Sequence, residues 1–107
     1  MKKLEIICGV RIHNLKVLSE YFHPLCDGRK TFEIRNNDRG FKVGDVLSMH
    51  LWSAKAGYLK AIAPVMRMVT YITDYEQRPE FVVLALSSCL DRREIPGFMD
   101  VRRPRRP

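Results

Sequence analysis

The sequence predicts a mostly β domain with one or two short helices, a small antiparallel β-barrel with a helix packed across it. Three observations carry that expectation. Apolar residues recur with period two over 31–35 and 46–52, as strands with one buried face require. Turn signals fall at short intervals, among them Asn36-Asn37-Asp38-Arg39-Gly40 and Val43-Gly44-Asp45, a spacing suited to short-stranded barrels. Helix punctuation is found in one stretch only, near the N-terminus.

Taken in order, Leu4–Cys8 reads as an added edge strand or a poorly packed leader, and His13–Val17 as a short strand. Ser19 has the chemistry of an N-cap, Glu20 lies in the first turn, and Gly28 is a C-terminal stop, so a short helix is expected over Glu20–Asp27. Pro24 limits it to about two turns, since it removes one helical hydrogen bond. Phe32 and Ile34 are assigned to the core face of the next strand, with Thr31, Glu33 and Arg35 opposite. Leu47, Met49 and Leu51 form the core face of the strand over Val46–Trp52. Tyr58–Thr73 is too long for one flat strand and Pro64 marks an edge or bend, leaving Met66–Thr73 as its stronger half. Phe81–Leu86 completes the set, and Val69 or Met68, Val82 and Leu84 join the expected core.

Composition narrows the function. The chain of 107 residues is one domain by length, with 46% hydrophobic and 29% charged residues, a globular balance. The expected division is residues 1–12 as an N-terminal extension or edge strand, 13–90 as the folded domain, and 91–107 as a basic, flexible tail. The formal net charge of +7 favours phosphate-bearing partners. The longest apolar runs, Ala61–Met66 and Phe81–Leu86, fall far short of the roughly 20 residues that cross a bilayer, so no membrane role is expected. No signal-peptide core follows Met1-Lys2-Lys3. Three widely spaced cysteines, Cys8, Cys26 and Cys89, argue against a disulfide framework or zinc knuckle and for a cytoplasmic protein with reduced thiols, and a monomer is expected. His13, His23 and His50 lack metal-ligand spacing, and neither metal nor cofactor is expected.

The densest chemistry lies in Gly28-Arg29-Lys30-Thr31-Phe32-Glu33-Ile34-Arg35. A glycine ends the helix, the chain enters a strand directly, and one strand face then carries a hydroxyl, a carboxylate and a guanidinium. Lys30 stands at the corner, where a bend brings its ammonium towards that face. Arg35 can grip a phosphate with two parallel hydrogen bonds, and Glu33 can orient either cation or accept from a base amino group. The bland alternative is a solvated face with weak ion pairs.

The pattern Gly28-x-Lys30-x-x-Glu33-x-Arg35 resembles the signature of ASCH domains, members of the PUA-like superfamily of small β-barrels. The similarity runs from about His13 to Ser87. It takes in Leu15-Lys16-Val17, Glu20-Tyr21-Phe22, Asn37-Asp38-Arg39, Phe41, Val43-Gly44-Asp45 and Val69-Thr70-Tyr71-Ile72, and looks like a short subgroup of unassigned function found in bacteria and their phages. The resemblance implies a basic cleft between barrel and helix, lined by Lys30, Glu33 and Arg35, that binds RNA or a nucleotide. One ASCH subfamily instead hydrolyses an amide on a modified nucleoside with a Lys, a Thr nucleophile and a distant Glu. Here Glu33 stands where that Thr would be. The alternative catalytic reading takes Lys30, Thr31 and Glu33, with Lys30 as base and Thr31 or a water as nucleophile, and Glu76 or Glu80 standing in for the distant acid; no catalytic residue is assigned firmly.

Arg39 and Trp52 are further candidates for nucleic-acid contact. Trp52 shares a stripe with Ser48 and His50, and Tyr58, Tyr71 and Tyr75 offer stacking surfaces of the kind that hold single strands. Arg102, Arg103, Arg105 and Arg106 are candidate phosphate contacts in the tail. The expectation is a binding module for RNA or a nucleotide. The alternatives are a small amidohydrolase acting on a modified nucleoside and a phage or mobile-element protein that binds a host protein.

Overall fold

The computed structural model describes residues 1–88. The candidate tail contacts Arg102, Arg103, Arg105 and Arg106, and Cys89, lie outside the described residues. The described residues are mostly β with one helix: β1 (Leu4–Ile7), β2 (Val10–Val17), α1 (Ser19–Cys26), β3 (Phe32–Asn36), β4 (Val46–Ser53), β5 (Gly57–Tyr58), β6 (Val65–Thr73) and β7 (Phe81–Leu86). No helix among them is long and apolar enough to cross a membrane.

The strands form one sheet in the order β1-β2-β4-β6-β7-β3, with β5 paired to β4. β1 is the edge strand of a hairpin, turned by Cys8 and Gly9, both at positive φ, and continued by β2, which begins at Val10 rather than His13. One expectation is corrected: the sheet is not wholly antiparallel, because β2 and β4 run parallel, Ile12 opposite Val46 through Val17 opposite Leu51. α1 and β3 lie between them in sequence and supply the crossover that a parallel pair needs.

The ladder is open, ending at β1 and β3. The five strands from β2 to β3 would span about 19 Å if flat. Yet Arg35 on β3 donates from Nη2 to the Lys16 carbonyl on β2 at 2.9 Å. The sheet therefore curls until its β3 edge stands beside β2, and a side chain rather than a strand ladder bridges the seam.

α1 covers the concave side. Leu18, with extended backbone, is its N-cap, and Tyr21 and Phe22 donate to the Leu18 carbonyl. Ser19 is thus inside the helix and makes no side-chain cap, contrary to expectation, because the chain turns one residue earlier. Gly28 sits at φ +83°, the left-handed geometry that ends the helix. Phe22 and Leu25 pack on Leu15, Val17, Leu47, Met49, Leu51, Val69, Val82, Leu84 and Leu86 to form the main core. Arg67 reaches the same end of α1 and donates from its buried guanidinium to the carbonyls of Leu25 and Ser87.

The expected core holds except in β3. Phe32 and Ile34 are 42% and 51% exposed, whereas Glu33 is 3% exposed. Glu33 lies opposite Leu84 in register, and Arg35 opposite Val82, so the polar face of β3 is the inward one. A carboxylate tolerates that place when cations satisfy it.

Candidate nucleic-acid interface

Glu33 is held by two side chains, one on each carboxylate oxygen. Lys30 donates from Nζ to Oε1, and Arg35 donates from Nε to Oε2 at 2.9 Å. Lys30 reaches inward because its backbone N–H bonds the Pro24 carbonyl, folding the α1–β3 corner tightly. Its ammonium then stands 5.2 Å from the Tyr21 ring centroid and 5.3 Å from that of Phe32, both within cation–π range. Phe22 and Leu25, three residues apart, face the core, while Leu18 and Tyr21, at the same spacing four residues earlier, line this cleft.

The cleft has a volume of about 380 Å³, at the small end of ligand sites. Leu18, Tyr21, Phe32 and Ile34 form apolar walls, and Lys30, Glu33 and Arg35 with Lys16 supply the charge. β3 is an edge strand, which is how residues from both of its faces reach one cleft. Three cations against one carboxylate leave the cleft positive. With both oxygens of Glu33 engaged, the acid fixes the two cations in place and is not an unoccupied base.

Thr31 is exposed, precedes β3, and lines a separate depression with Gly28, Arg67 and Ser87. The expected face of Thr31, Glu33 and Arg35 is therefore split, since strand alternation begins only at Phe32. Glu76 and Glu80 lie in the β6–β7 loop and do not line the cleft. Trp52 is half-buried on β4, under the Lys16 ammonium at 4.9 Å. Tyr71 and Tyr75 are exposed away from the cleft.

Arg39 lies across the Arg35–Lys16 bridge. Its Nη1 donates to the carbonyls of Lys3 and Asn14 at 2.9 and 2.8 Å. It lines a second basin, of about 470 Å³, with Lys2, Lys3, Lys16, Arg35 and Tyr58. Burial holds the Arg39 guanidinium below its ordinary pKa; Asp38 opposes this, and the charge of Arg35 adds to it. Lys16, Tyr21 and the Lys2–Lys3 pair went unassigned in the sequence. The Leu18/Tyr21 spacing was the one available signal for Tyr21.

A different cluster surrounds Asp45, in the turn before β4. Its Oδ2 accepts from His13 Nε2 at 2.8 Å and from the Lys42 backbone N–H at 3.0 Å, and Arg11 Nε lies 3.3 Å from Oδ1. His13 is fully buried against Phe41, ring centroids 4.7 Å apart. Among the described residues its Nδ1 has no hydrogen-bond partner, so the neutral Nε2–H tautomer fits the site. Burial lowers the His13 pKa, against the hydrogen bond and charge of Asp45.

Two comparisons bear on this geometry. The "Uncharacterized 12.9 kDa protein in GpA 3'region" of Escherichia phage P2 is 38% identical over 42 residues, which are 39% of this chain. The match covers 38% of the phage protein's length. The family described as "Domain of unknown function (DUF3850)" matches residues 12–86, which take in the cleft, the His13–Asp45 pair and every strand from β3 to β7, and the chain belongs to that family.

Proposed function

We propose that this chain is a cytoplasmic RNA- or nucleotide-binding domain that holds its ligand in the Lys30–Glu33–Arg35 cleft. In this reading the curled sheet is a small barrel of the PUA-like, ASCH type, left open at the β2–β3 seam. One observation carries it: two fixed cations stand at the floor of a cleft whose walls include the rings of Tyr21 and Phe32. Lys30 and Arg35 meet phosphate, and the aromatic walls meet a base. Lys30 keeps ammonium donors beyond the one given to Glu33, and Arg35 keeps Nη1. Amide hydrolysis has less support, because Thr31 lies outside the cleft and Glu33 is engaged on both oxygens.

The test is a titration of the protein with single-stranded RNA, duplex RNA, DNA, nucleotides and nucleosides, with product analysis of each mixture. Phosphorylated ligands are expected to bind, with affinity falling as salt rises by a log–log slope of about 0.7 per phosphate neutralised on a single strand. Nucleosides binding as tightly as nucleotides would overturn the assignment. Turnover abolished in Lys30→Arg would move the protein to the hydrolases.

A further inference from the structure

We propose that the Lys2–Lys3–Arg39 basin is a second, phosphate-binding subsite, and that with the cleft it takes a single-stranded polynucleotide laid across the β2–β3 seam. This rests on the cleft reading and extends it from one nucleotide to at least two. Among the described residues five basic side chains line the basin, Lys2, Lys3, Lys16, Arg35 and Arg39, and no carboxylate does. The nearby acid Glu5 is turned to Asn14, accepting from its Nδ2 at 2.8 Å.

The way the guanidiniums are held matters most. Arg39 is fixed by the carbonyls of Lys3 and Asn14, and the Nη2 of Arg35 by the carbonyl of Lys16. Carbonyls orient a guanidinium without cancelling its charge. A carboxylate would do both, as Glu33 does for the Nε of Arg35. Glu33 offsets part of the charge of Arg35 and Asp38 part of that of Arg39, but the carbonyls offset none, so the basin keeps an excess of positive charge that an anion relieves. Groups held at such a cost in charge are found where ligands bind.

Lys16 and Arg35 line both volumes, so the two are neighbours across those residues. A chain with one base between the walls of the cleft can pass its next phosphate over them to the lysines. Tyr58 lines the basin, with the His50 ring edge-on to it at 5.9 Å, and gives a second base a stacking surface. Duplex bases are already paired and stacked, so the arrangement selects unpaired strands. Lys2 and Lys3 precede the family match at residues 12–86, which makes this subsite an addition carried by the N-terminal hairpin.

The experiment uses the full chain and its Lys2→Gln/Lys3→Gln variant, in which the backbone carbonyls that Asn14 and Arg39 use are kept. Affinities are measured for uridine monophosphate, a hexauridine RNA, the matching DNA hexamer, and an RNA duplex. In the native chain the RNA hexamer is expected to bind more tightly than the monophosphate, and the DNA hexamer shows whether the 2′-hydroxyl adds to the shared phosphodiester recognition. In the variant the advantage of hexamer over monophosphate should fall about tenfold, and the salt slope by about 0.7 for each phosphate that is no longer neutralised. An unchanged advantage, or a duplex bound as tightly as the single strand, overturns the proposal. If neither monophosphate nor hexamer binds the native chain, the cleft reading falls and this one with it. If hexamer binding survives Tyr21→Ala/Phe32→Ala but weakens when the lysines are replaced, the cleft reading fails and the basin stands.

Discussion

Two carboxylates are withdrawn from solvent to the same degree, Asp45 at 4% and Glu33 at 3% exposure, and each meets two basic side chains. Asp45 also accepts a backbone N–H, and one partner, His13, is fully enclosed. The cluster ties β2 to the turn before β4 and opens onto neither the cleft nor the basin. Glu33 accepts from side chains alone, and both of those side chains line a cleft. A buried acid with backbone partners holds the fold; one whose cations still reach solvent holds those cations ready for something else.

The largest effect should separate the two acids on stability. Asp45→Ala leaves the N–H groups of His13 and Lys42 without their acceptor, and each buried donor left unsatisfied costs about 1–3 kcal/mol. Glu33→Ala frees two cations that can rehydrate, so a loss of roughly 1.5–3 kcal/mol is expected, the scale of charged hydrogen bonds. Urea unfolding of both variants checks this. Equal losses would make Glu33 as structural as Asp45.

Binding should sort the two arginines the other way. Arg35→Lys cannot reach Glu33 and the Lys16 carbonyl together, and a single-stranded RNA should bind about tenfold less tightly. Arg11→Lys, at the Asp45 cluster, should leave that affinity unchanged. Affinity reduced equally in both variants would show a general charge effect instead of a site.

These expectations turn on a face that the sequence does not display. The strands over 46–52 and 81–86, the short helix with its Gly28 stop, and the inward Leu47, Met49, Leu51, Val82 and Leu84 were all legible from period and punctuation. So was the grouping of Lys30, Glu33 and Arg35. Two things were not. Period two tells which residues of β3 share a face, but the inward face was chosen by hydrophobicity, and an ion cluster satisfied on both sides reversed that choice. The parallel β2–β4 pair and the placing of β3 beyond β7 depend on chain path, which local patterns do not encode.

Acid should find the His13 cluster first. The His13 pKa is lowered in the fold from 6.5, by burial first, with Asp45 opposing and the charges of Arg11 and Arg39 adding to the lowering. Between about 6.5 and the lower folded value, the unfolded chain holds a proton that the folded chain does not. Stability therefore rises with pH across that window, is lost as pH falls through it, and levels off below the folded value. Urea midpoints taken from about pH 7.5 down to about 5 should show the slope, and His13→Gln should flatten it. A slope unchanged by that substitution would assign the proton elsewhere.

The smallest effect is the sharpest test of the reversed face. If Phe32 were a core residue, truncating it would cost several kcal/mol, as Leu84→Ala is expected to at about 2–5 kcal/mol. Phe32 is instead 42% exposed, opposite Ala85 on the outward side of β3, while Leu84 is fully buried opposite Glu33. Its ring covers the Lys30 ammonium and one wall of the cleft, so Phe32→Ala should remove under about 1 kcal/mol of stability. The same substitution should weaken RNA binding, since stacking of a base on an aromatic ring is worth about 1–3 kcal/mol. Two measurements on one variant thus decide which way β3 faces. A large stability loss would return Phe32 to the core and Glu33 to the surface. A small loss with weakened binding would keep the apolar side of this strand in the cleft, where the ligand is expected to lie.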